Sequence, residues 1–130
     1  MKILQPPGWP RPKGYSNGIS ARGRMVFTAG VVGWNEQQKF VEKSLAGQFA
    51  QTLRNIVAIL ECDGAYPKNI ARLTCYVTSI DEYLASAKEI GAAWREIMGK
   101  HYPAMALVEV VRLVEKDAKV EIEATAVVPE

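Results

Sequence analysis

The sequence predicts an α+β domain in which a mixed β-sheet carries two helices on one face. Three observations lead there. Apolar residues recur at three- and four-residue steps in two long segments and alternate with polar ones in others. The segments also interleave, in the order strand, helix, strand, helix, strand, strand. At 130 residues the chain suits one hydrophobic core, so residues 1–130 are expected to form a single domain.

The opening stretch MKILQPPGWPRPKG is expected to be loop, because its prolines and glycines break every periodic pattern. A strand follows from about Met25 to Val32. Gly30 and Gly33, within and just after it, point to a bulge or a close backbone approach. NEQQ is a polar turn, and Phe40-Val41 reads as a short extended piece. From Ser44 to Glu61, Leu45, Phe49, Leu53, Ile56 and Leu60 make one helical stripe, and Asp63-Gly64 stops it. In IARLTCYV, Leu73, Cys75 and Val77 oppose Arg72, Thr74 and Tyr76, as in a strand with one buried face. The second helix starts at Ser79, with Glu82 at the reciprocal capping position, and buries Tyr83, Ala87, Ile90, Trp94 and Ile97. Two strands close the chain, Ala104–Leu113 and Lys119–Val128, expected to form a hairpin around the charged turn VEKD. With both helices on one side, the other sheet face is left uncovered. Ala104–Val111 is nonetheless apolar on both of its sides, so a homo-oligomer with sheet packed on sheet is the economical cover.

Composition excludes several function classes. Hydrophobic residues make up 48% and charged ones 23%, as in an ordinary soluble protein. Sixteen basic against 14 acidic residues, net +2, give no broad footprint for nucleic acid or an anionic membrane, and the group Arg11, Lys13, Arg22 and Arg24 reads as solvated loop charge. No signal-peptide core and no membrane-length apolar run is present. Cys62 and Cys75 form no metal or redox motif, so buried free thiols and a reducing, cytoplasmic setting are expected. His101 is the only histidine, which rules out a multi-histidine metal site. It is either a general base or, the simpler reading, a cation at a helix C-terminus. The oddity is three acids in strand-like segments: Glu109, Glu121 and Glu123.

Several stretches resemble the RidA/YjgF family of small trimeric enamine/imine deaminases: GYS at Gly14–Ser16, VFTAG at Val26–Gly30, the Gln48–Ala65 helix, TSIDEY, and the closing run from Pro103 to Val127. The resemblance implies a chorismate-mutase-like subunit and a homotrimer whose sheets form a central barrel, with ligand clefts between neighbouring subunits. It implies that Glu121 positions the hydrolytic water, and that Tyr15, Ala29, Gly30, Val31, Met105, Ala106 and Leu107 bind a small-molecule substrate. No metal or cofactor is implied. The chain departs from the family pattern at the cleft. Met105 stands where the archetype has an arginine that clamps the substrate carboxylate, Leu107 where a cysteine is usual, Ala29 where serine is common, and Val31 where glutamine is frequent.

An arginine fork makes two charge-assisted hydrogen bonds, so its loss weakens carboxylate binding by about two orders of magnitude or more. Arg112, an odd number of positions from Met105, faces away in a regular strand, whereas Lys100 and His101 lie near the strand mouth. Glu121 and Glu123 share a strand face, and Glu121 is the expected general base, while Glu123 and Glu109 read as structural. Tyr15 either offers its phenol to a ligand or packs on a neighbour. Trp34 reads as a packing residue more than a cleft wall. The function expected first is a RidA-like hydrolase with altered substrate preference. The alternative is a non-catalytic small-molecule-binding or interaction protein. RNA cleavage ranks last, because the charge balance supplies no basic face.

Overall fold

Side-chain alternation in two long strands decides where the core sits. The computed structural model describes residues 1–130. The chain runs β1 (Lys2–Leu4), β2 (Gly18–Ser20), β3 (Arg24–Phe27), β4 (Val31–Val32), α1 (Leu45–Glu61), β5 (Ile70–Val77), α2 (Ile80–Ala85), α3 (Ala87–Met98), β6 (Ala104–Glu109) and β7 (Val120–Val128). Along β5 and β7 one face presents Leu73, Cys75, Val77, Val120, Ile122, Ala124 and Ala126 to the helices, all buried. The stripes of α1 (Leu45, Phe49, Leu53, Ile56, Leu60) and α3 (Ile90, Trp94, Met98) join the same cluster. Each large side chain so buried stabilises the fold by about 1.5–3 kcal/mol relative to exposure. Burial pushes the Cys75 thiol up to about 12, so it sits in this core as a neutral apolar group.

The main sheet is mixed, ordered β3-β7-β5-β6, with β4 also on β7. β5 pairs antiparallel with β7 and parallel with β6. The last two strands are therefore not the hairpin expected from their proximity in sequence. β5 lies between them, and the connection over residues 110–119 crosses its end, where Val110 N–H donates to the Val77 carbonyl. β6 ends at Glu109, short of the expected Leu113.

The second helix is broken. Ser79 caps α2 through its hydroxyl, which accepts from Glu82 N–H. The Glu82 carboxylate does not turn back to the cap but pairs with Lys119 Nζ at 2.7 Å. At Ser86 the hydroxyl donates to the Glu82 carbonyl, and the backbone leaves helical values, with φ −100 and ψ 10. A serine competing for its own helix carbonyl bends the chain there. The break shifts the phase of α3, so Met98 enters the core, Ile97 packs against it half-buried, and Ala87 is exposed. Cys62, expected buried, is exposed at the end of α1. Phe40-Val41 forms no strand, and the loop-like N-terminus contributes the β1–β2 ribbon.

One polar side chain ties these pieces together. Gln48, 1% exposed on α1, donates from Nε2 to the carbonyls of Glu42 and Asp117 and accepts at Oε1 from Lys119 N–H. It fixes the end of the 110–119 connection to the helix. Gln48→Leu keeps the size but orphans three backbone groups, each costing about 1–3 kcal/mol when buried. Urea unfolding is expected to show a loss of at least about 2 kcal/mol, and a midpoint unchanged from wild type would contradict this role.

Candidate functional site

The uncovered sheet face holds two of the three strand acids, Glu121 and Glu123, while Glu109 shares the helix side with Val77, Met105 and Leu107. Opposite the core, β5, β6 and β7 present Arg72, Thr74, Tyr76, Ala104, Ala106, Val108, Glu121, Glu123 and Thr125, as their register requires. Met25 and Phe27 of β3 lie across from Val127 and Thr125 on that same face and are 57% and 64% exposed. Val108 adds a third exposed apolar side chain.

A bulge shapes the site. From Phe27 to Val31 the chain advances four positions, while their partners Thr125 and Ile122 are three apart, so one residue is extra. Thr28 holds this irregular stretch. Its N–H donates to the Ala124 carbonyl, and its hydroxyl accepts from Ala124 N–H at 3.0 Å in place of a backbone carbonyl. The extra residue reverses the facing of the strand, so Phe27 points to the open face while Val31 enters the core. It also lays the Gly30 backbone on Glu121. A β-carbon added at Gly30 would stand 2.3 Å from Glu121 Oε2, so the carboxylate occupies space that only glycine leaves free.

The three strand acids are in different states. Glu109 accepts from Ile80 N–H at the start of α2, which makes it a helix anchor. Glu123 accepts from the Tyr76 phenol at 2.9 Å. That hydrogen bond is the first cause of the raised Tyr76 pKa, followed by burial and the charges of Glu123 and Glu121, with Arg72 opposing. Glu121, half-buried against Gly30, engages no protein donor and no cation. A carboxylate in a partly desolvated position with unspent acceptor capacity can order and deprotonate a water.

The remaining predicted residues are spread over other surfaces. Ala29 and Ala106 share the open face with Glu121, Ala29 in the exposed bulge. Met105 and Leu107 pair with Leu73 and Cys75, which places them on the helix-covered face, opposite Glu121. Met105 lines a pocket of about 270 Å³ between α3, α1 and the start of β6. Tyr15 is exposed and lines a smaller hollow of about 190 Å³ with Arg11, Lys100 and His101. It is held at β6 because Ser16 N–H donates to the Pro103 carbonyl and the Ser16 hydroxyl to that of Tyr102. His101 does not serve the helix end. Its Nε2 bonds the Ile70 carbonyl at 2.7 Å, which fixes that nitrogen as the protonated one, while its own carbonyl accepts from Trp94 Nε1. Trp34 packs on Phe40, with ring centroids 5.6 Å apart. Arg24 pairs with Asp63, which removes it from any basic cluster. Arg95, which also lines the Met105 pocket, escaped the sequence reading because on the helix pattern it looks like any solvated cation. No group of three or more His, Cys, Asp or Glu side chains is placed to hold a metal.

Comparison with known proteins agrees with this geometry. The sequence profile of the family described as Endoribonuclease L-PSP matches residues 10–128. The 2-iminobutanoate/2-iminopropanoate deaminase of Escherichia coli K12 is 33% identical over 116 residues, covering 87% of this chain and 86% of that protein. A RutC family protein from Pyrococcus horikoshii is 36% identical over 119 residues, 90% of each chain. Among solved structures, the Rid family protein YyfB from Yersinia pestis superposes with a TM-score of 0.83 at 28% identity, covering 98% of each chain. The E. coli YjgF structure gives 0.71 at 32% identity, again over 98% of both chains. A helix-clad mixed sheet, matched in sequence and fold along nearly its whole length, makes this chain a member of the RidA/YjgF family, with its chorismate-mutase-like fold.

Proposed function

We propose that this protein is a RidA-like hydrolase of the enamine/imine deaminase class, in which Glu121 activates water and Met105 has changed the preferred substrate. One observation carries the reading: of the strand acids, Glu121 alone keeps its carboxylate free, pressed against the Gly30 backbone on an open sheet face. Hydrolysis of a C=N bond needs a base to deliver water to the carbon, and departing nitrogen needs a proton, which the protonated carboxyl returns.

A complete site requires two copies of the chain. Glu121 and Met105 lie on opposite faces of one sheet, so one protomer cannot aim both at a single ligand. β6 is the sheet edge, bridged by Ser16 at Ala104 and otherwise unpaired, and the exposed Met25, Phe27 and Val108 call for cover by another sheet. A homotrimer with sheets facing inward meets both needs, bringing Glu121 of one subunit to the β6 edge of the next. The free thiols Cys62 and Cys75 suit a reducing, cytoplasmic compartment, and no helix is long and apolar enough to cross a membrane. A second reading, a ligand-binding protein without turnover, draws on Met105 alone: the pocket it lines keeps its shape whatever Glu121 does.

Three variants test the hydrolase. Glu121→Gln is expected to lower imine hydrolysis by about 10²–10⁴-fold while the oligomer, sized by light scattering, is unchanged. Full turnover in this variant would end the assignment. Gly30→Ala pushes only the flexible end of Glu121, so its melting temperature should stay near wild type while turnover falls. Retained turnover would show that the carboxylate's position against the bulge is irrelevant. Met105→Arg should raise kcat/KM for small 2-imino acids by about two orders of magnitude, and equal activity of the two proteins would refute the role given to Met105.

A further inference from the structure

The pocket behind Met105 is mostly apolar and aromatic, with one charged side chain. Its walls are Phe49, Tyr83, Ile90, Trp94, Tyr102 and Met105, and its volume of about 270 Å³ is at the small end for ligand sites. The Trp94 and Tyr102 rings stack, 3° from parallel with centroids at 6.2 Å, and together make an aromatic wall. Gly14 and Gly91 contribute backbone without filling the space. The charged side chain is Arg95, one helical turn after Gly91, whose Nη1 lies 3.5 Å from where a Gly91 β-carbon would stand. The guanidinium is thus folded back along α3 toward the pocket, at ordinary contact distance from that β-carbon position.

Nothing in the protomer uses this cation. The ion pairs are Arg24–Asp63, Arg54–Glu96 and Lys119–Glu82, and Arg95 belongs to none of them. Its side chain makes no hydrogen bond either, although its carbonyl accepts from Gly99 N–H. Tyr83 adds a second polar group. Burial holds its phenol in the neutral, donating form, and the hydroxyl has no partner in the protomer. The pocket therefore offers two unspent kinds of donor, no acceptor charge, and aromatic walls.

We propose that this pocket binds a small carboxylic acid with an aromatic or branched apolar body, its carboxylate forked on Arg95 and its body against Met105 and the Trp94–Tyr102 wall. This deepens the hydrolase reading and rests on its placing of Met105 at the substrate: the cation has moved from the strand to the helix, and the substrate class becomes 2-imino acids with bulky apolar side chains. A planar guanidinium suits a carboxylate better than the Lys100 ammonium, which lines the neighbouring hollow with Tyr15. An arginine at the rim and methionine in the wall favour a larger body than an arginine in the wall would admit.

The test uses 3-phenylpropanoate, its neutral amide and plain propanoate as probes, with binding followed by calorimetry and by Trp94 fluorescence. Wild type is expected to bind phenylpropanoate at least about 10-fold tighter than either the amide or propanoate. Arg95→Gln, an exposed substitution that leaves the core intact, should weaken phenylpropanoate roughly 10- to 100-fold and leave the amide unchanged. Glu121→Gln, on the opposite sheet face, should retain phenylpropanoate binding even if it abolishes turnover, so failure of the chemistry and failure of the pocket are told apart. Equal binding of acid and amide by wild type, wild-type affinity in Arg95→Gln, or no binding of phenylpropanoate in the millimolar range would each overturn the proposal.

Discussion

A sheet clad with helices on one side only imposes a division of labour on every strand that runs through it. In β7 the even positions, Val120 to Ala126, are sealed in hydrocarbon, while the odd positions, Glu121, Glu123 and Thr125, face outward. That parity is what allows carboxylates inside an otherwise apolar strand. A shift of register by one residue would bury both glutamates and expose the core set, a penalty far larger than any local preference. The outward carboxylates and the hydrophobic core are thus two sides of one periodicity, and neither can be altered without the other.

The bulge between β3 and β4 is where the fold bends that rule. Simple alternation would put Phe27 and Val31 on the same face. One extra residue sends them to opposite faces and carries a glycine backbone onto Glu121. The Thr28 hydroxyl makes the departure tolerable by supplying an acceptor where the regular ladder loses a carbonyl. Local irregularity in the backbone is here the device that shapes the surface around Glu121 on a regular sheet.

Much of this was legible in the residues. The stripes of α1 and β5 read directly as buried faces, the bulge was signalled by Gly30, and the structural reading of Glu109 and Glu123 agrees with their bonds to Ile80 N–H and the Tyr76 phenol. What escaped the sequence depended on competition between neighbours. Ser86 is an ordinary helix residue until its hydroxyl takes the Glu82 carbonyl. The last two strands look like a hairpin because their turn is charged and short, yet β5 gains hydrogen-bonded partners on both edges by lying between them. Cys62 falls outside the buried stripe only once the helix end is fixed. Arg95 carries no signal in periodicity at all, since its meaning comes from the pocket it shares with a methionine on another element.

The segment between β6 and β7 is anchored at both ends. Val110 is bonded to β5, and the glutamine of α1 grips residues 117 and 119, so between the anchors Val111 and Val114 stand 98% and 94% exposed. Relatives could therefore lengthen or shorten this arch freely without disturbing the strands it joins. Changes in its size or tip would be read by whatever molecule lies alongside, which makes it the natural place for a lineage to diversify its associations while its chemistry stays put.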